Sequence, residues 1–146
     1  MTYRLDALLA AQRALRSRFD DFRQALERND RTAMEISIRD FDGHLRRWSE
    51  AEENALIPAL ERAQIPGRDV RRELWLEYVQ LRELSGYIER QVSEGMAYGH
   101  LIGYVENLDR RLRAHEKDKG QLYYPAADRT LTEEEWGALE KARPEE

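Results

Sequence analysis

Apolar residues recur along this chain at alternating spacings of three and four, the rhythm of helices that each bury one stripe. The first stripe is Leu5, Leu8, Leu15, Phe19, Phe22 and Leu26, with Gln12 standing where another apolar residue is due. It predicts a helix from about Leu5 to Leu26, and Asn29 with Asp30 marks the turn that follows. Met34, Ile38, Phe41, Leu45, Trp48, Glu52 and Ala55 predict a second helix from about Thr32 to Ala55. Leu74, Tyr78, Leu81, Ser85, Ile88 and Val92 predict a third, from about Asp69 to Val92. Leu101, Val105, Leu108, Leu112, His115, Lys119 and Leu122 predict a fourth, starting at Ala97 or Leu101 and reaching Leu122. Pro58 is expected to bend or end the second helix and Pro125 to end the fourth, because proline lacks an N–H and restricts the residue before it. Pro66–Gly67 and the glycines at 95 and 99 mark the remaining connections. Thr132 and Glu135 have the spacing of a capping box ahead of Trp136 and Leu139, which predicts a short fifth helix. The tail ARPEE is expected to fray. No strand-type alternation competes. Helices of similar length with short connections imply an all-α fold: an up-down-up-down four-helix bundle with a short C-terminal fifth helix.

Composition narrows the function classes. The 146 residues suit one domain spanning the whole chain. Charged residues are 36%, yet the net charge is only −5 and no basic stripe stands out, so nucleic acid is not an expected partner. The absence of cysteine excludes disulfides, thiolate catalysis and Cys-ligated metal centres. No apolar run approaches membrane-spanning length, and the opening MTYRLDALLAAQ has no continuous apolar core. A cytoplasmic protein with no membrane partner is the expectation, as a monomer or homodimer. Trp75, Trp136 and Tyr124 fall outside or at the rim of the stripes and mark the expected contact face. Trp75 is the candidate for touching the fifth helix or a second subunit, while Tyr123 and Tyr124 are expected to seal the bundle end. His44 and His100 are expected at the surface.

Six residues polarise the stripes near one end: Gln12, Trp48, Glu52, Tyr78, His115 and Lys119. If neighbouring helices run antiparallel, the starts of helices one and three share an end with the finishes of helices two and four. At about 1.5 Å rise per residue all six then fall in one slab of the core. Aligning Pro58 with Pro125 places Trp48 on His115 and Glu52 on Lys119, so the halves echo one another. A carboxylate and an ammonium on facing stripes are costly unless they meet. Glu52 and Lys119 are therefore expected to pair, with Tyr78, Gln12 or His115 taking the remaining hydrogen bonds.

The layer resembles that of the hemerythrin-like, cation-binding HHE domain family. In that family helices one and three each bring a histidine inward. Helices two and four each bring a histidine and a carboxylate four residues apart, ahead of an apolar pair and a proline. Here Gln12 in AAQRALR and Tyr78 in EYVQLREL stand at the single-histidine positions. Trp48 stands at the helix-two histidine, with Glu52 of EENALIP at its carboxylate. His115 keeps the helix-four histidine, and Lys119 stands at its carboxylate. LTEEEW resembles the family's trailing helix. The resemblance covers nearly the whole chain and implies the bundle fold. The substitutions argue against the family's di-iron chemistry, because tryptophan cannot ligate a metal and lysine carries its own positive charge. The expected role is a non-catalytic binding, regulatory or scaffolding module without a cofactor. One alternative is a cation-binding protein for oxygen or redox sensing, with iron or another metal held by Glu52 and His115, helped by Glu116 or Asp118. The other is a small-molecule enzyme or sensor built on the polar layer.

Overall fold

The computed structural model describes residues 3–145, and among them every regular element is helical. Seven α-helices follow one another: α1 (Tyr3–Glu27), α2 (Arg31–Ala51), α3 (Ile57–Ala63), α4 (Val70–Ser93), α5 (Tyr98–Asp118), α6 (Tyr124–Thr130) and α7 (Glu133–Ala142). Two single π-helical turns, Glu52–Leu56 and Lys119–Tyr123, join α2 to α3 and α5 to α6 without a break. The described residues thus form five helical rods. Among the described residues no helix is long and apolar enough to cross a membrane.

The stripes behave as their spacing predicts. Leu8, Phe19, Phe22, Met34, Ile38, Phe41, Leu74, Ile88, Leu101 and Leu108 are all buried in one continuous core. α1 packs on α2, α2 on α4, α4 on α5 and α5 on α1, which closes a ring of four. Local chemistry sets the ends. Asp30 caps α2 by accepting from the Ala33 N–H at 3.1 Å, and Asp69 caps α4 in the same way. Gly95, at φ +78°, takes the left-handed conformation that ends α4 and lets the Met96 N–H reach back to Gln91 O. Thr132 and Glu135 form the full capping box that starts α7. The tail is anchored at one point, because Pro144 is buried.

The prolines do not end their helices. The expected stop at Pro125 is corrected: helix continues to Thr130, as it continues past Pro58 to Ala63. In each case a π-turn lies just upstream. Ile57 N–H bonds to Glu52 O and Tyr124 N–H to Lys119 O, five residues back instead of four. The wider turn makes room for the proline ring, which in a regular helix would press on the carbonyl four residues before it. It also turns the chain, so that the residue five positions on shares a face with the first. Tyr124 therefore points inward below Lys119, and the expected stripe residue Leu122 is only half-buried.

Candidate functional site

Glu52 opens the first π-turn and Lys119 the second, and α2·α4 and α4·α5 packing brings Tyr78 between them. Lys119 Nζ donates to Glu52 Oε1 at 2.8 Å, with the carboxylate fully buried and the ammonium nearly so. Tyr78 Oη donates to the same oxygen at 3.1 Å. Tyr124 Oη donates to Glu52 Oε2 at 2.5 Å. The Lys119 ammonium also lies over the Tyr124 ring, 5.2 Å from its centre. Three donors thus surround one buried carboxylate, the arrangement that makes a buried charge tolerable. Burial, and then the Glu52 charge, push both tyrosine hydroxyls well above their ordinary pKa, so each remains a donor.

His115 is buried in the same layer but does not touch Glu52. Its Nδ1 lies 2.9 Å from Glu77 Oε1, and its ring meets Tyr78 edge-on at 5.3 Å. Burial, with the Lys119 charge beside it, lowers its pKa to about 3. The imidazole is neutral at ordinary pH, with Nδ1–H donating to the Glu77 carboxylate. Glu77 is itself raised by burial, with Lys119 opposing the rise. Gln12 is half-buried and also misses Glu52. Its Nε2 donates to the backbone oxygen of Glu116 at 3.1 Å, so among the three expected partners it is Tyr78 that reaches the carboxylate. Trp48 is buried, and its indole N–H makes no hydrogen bond of normal geometry, though its approach to the Tyr124 oxygen opposes part of that hydroxyl's rise. Gln12 Oε1 is likewise buried without a partner.

All six residues of the sequence-defined layer line one small cavity of about 10 Å³. That is room for about one water. Sequence reasoning missed two members of the network. Tyr124 was expected at the rim, yet it is fully buried, because the π-turn swings it under Lys119. Its signal was available: the proline alignment sets Tyr124 on Ile57, itself buried. Glu77 has no such signal beyond standing next to Tyr78. The placement of Trp136 at the rim is corrected as well. Trp136 is buried, stacking edge-on against Tyr3 at 6.1 Å, so the fifth helix finds its aromatic contact there and not at Trp75. Trp75 is half exposed. His44 is part-buried beside Asp40, and His100 is exposed.

The chemistry this interior can perform is narrow. Glu52 is fully buried and already accepts three hydrogen bonds, His115 is too weak a base at neutral pH, and the cavity admits no organic substrate. The residues also do not fit a di-iron centre. The Lys119 ammonium sits where a cation would bind Glu52, and among the described residues no three His, Asp or Glu side chains gather to hold a metal. Comparison with protein-family models, curated proteins and solved structures finds no match.

Proposed function

We propose that this chain is an up-down-up-down four-helix bundle of hemerythrin-like type in which a lysine ammonium has taken the place of the metal. It works as a non-catalytic binding or scaffolding module. The observation that carries this reading is the Lys119–Glu52 pair at 2.8 Å, with both groups buried and the carboxylate completed by two tyrosines. The closed ring of α1, α2, α4 and α5 contacts, with brief connections between those rods, supports the topology. The ligand-like positions of Gln12, Trp48 and Tyr78 around the same cavity support the lineage. A permanently held positive charge gives the core what a bound metal gives other bundles, a fixed electrostatic centre, without the exchange or redox activity of an ion.

Elemental analysis tests this directly. Protein purified from iron-replete cells should carry well under one iron or manganese per chain, and a chelator should leave its unfolding midpoint unchanged. Stoichiometric metal bound through Glu52 and His115 would overturn the reading.

A further inference from the structure

Many arginines of this chain are answered by a carboxylate: Arg16 by Asp109 and Glu116, Arg46 by Asp42, Arg71 by Glu61 and Arg82 by Glu53. Along the join of α4 and α5 the pattern changes. Arg111 is held there only by neutral amides, Gln80 Oε1 at 2.7 Å and Asn107 Oδ1 at 3.3 Å. Arg90 has no carboxylate within ion-pairing distance among the described residues. Both guanidiniums line a groove of about 840 Å³. Its wall carries Tyr87 and Tyr104, their ring centres 4.8 Å apart and their planes tilted by 54°. Tyr104 is 41% exposed. Arg46 closes one side. It lies across α4 because residue 86 is glycine, where a Cβ would stand 2.6 Å from its Nη2. Glu83 is the one carboxylate in the lining among the described residues.

We propose that this groove binds a small molecule in which a planar ring carries a phosphate. The Arg111 guanidinium, held by amides and not by a carboxylate, is the group best matched to a phosphate, which its planar fork engages through paired hydrogen bonds. Exposed Tyr104, two turns before Arg111 on α5, and half-buried Tyr87 beside it offer a stacking surface for the ring. The volume lies in the range of small-ligand sites. Arg46 and Arg82, already answered by Asp42 and Glu53, shape the groove and leave the anion to Arg111, while Arg90 lies beside Arg46 near Gly86, where its Nη1 would stand 3.4 Å from a Cβ. Glu83 disfavours a ligand with negative charge at both ends, so the phosphate is expected at one end only. A mononucleotide and a phosphorylated phenol share this chemistry. The site lies outside the cavity of the buried layer, so its failure would leave the reading above untouched.

Calorimetric titration of the full chain tests it, with adenosine monophosphate and phenyl phosphate as ligands and adenosine and inorganic phosphate as their halves. At least one of the two ring phosphates should bind more tightly than either of its halves. Arg111→Ala and Tyr104→Ala should each weaken that binding about tenfold, the scale of one lost charge-assisted or stacking contact. Arg129→Ala, outside the groove, should not change it, and circular dichroism confirms that each variant is folded. Binding of adenosine monophosphate alone names a nucleotide site. Binding of phenyl phosphate, alone or equally, names a site for aromatic phosphates in general. The proposal falls if neither ligand binds at about 5 mM, far weaker than useful affinity. It also falls if inorganic phosphate binds as well as both, or if the groove variants bind unchanged.

Discussion

His115 is a titratable group held neutral by its surroundings, and that has a thermodynamic sign. Its pKa falls to about 3 in the folded protein, against about 6.5 in an unfolded chain. Between those values the unfolded chain takes up a proton that the native state refuses. Stability should therefore be fully present above pH 6.5 and drain away as the pH falls toward 3. Glu77 has the opposite sign: raised by burial, it favours the native state as the pH falls into the carboxylate range and offsets part of the loss there. Between pH 7 and pH 5 the histidine contribution should be on the order of 2 kcal/mol. Urea unfolding at the two pH values measures it, and His115→Gln should flatten the difference. An equally steep loss in the variant would place the responsible proton elsewhere. The stripe spacing was enough to place His115 in the interior. Its partner was not legible, because Glu77 lies off the stripe, and only the rotation of α4 against α5 brings it to the imidazole.

At the scale of elements, the two π-turns decide what the prolines do. Stripes and caps were readable because they follow from a period and from local hydrogen bonds. The π-turns were not, since an inserted residue in an otherwise regular helix leaves no change in composition. Gly120 sits inside the second π-turn, and a Cβ there would make only ordinary contacts, 3.7 Å from Leu9 Cδ2 and 3.8 Å from Gln12 Nε2. Gly120→Ala should thus stabilise the protein, by about 1 kcal/mol from helix propensity. Deleting Gly120 is a different change. It keeps Tyr124 on the Lys119 face, since five residues become four, but it forces Pro125 into a regular turn at a cost of about 3 kcal/mol. Combining the deletion with Pro125→Ala should recover much of that loss in urea unfolding. If the combined variant is as unstable as the deletion alone, the turn serves something other than the proline.

At the scale of the whole molecule, the two halves carry the same device in the same register. Trp48, Glu52, Ile57 and Pro58 recur 67 positions later as His115, Lys119, Tyr124 and Pro125. What differs is the sign of the central charge. A piece holding residues 1–64 that dimerised with itself would set one buried carboxylate against another. A piece holding 68–146 would set ammonium against ammonium. Only the mixed pairing brings Glu52 to Lys119, so the ion pair works as a mating key between two similar half-structures. In a domain-swapped dimer of the intact chain the key would still close, with the mixed contacts re-formed between chains, whereas like halves would be refused. The two pieces, cut in the Gln64–Asp69 connection, should each be largely unfolded alone and regain helical circular dichroism when mixed one to one. Homodimers as stable as the mixture would show that the charges do not choose the partner. Two similar helical pairs in one chain need a difference that keeps like halves apart, and the opposite charges of Glu52 and Lys119 are such a difference.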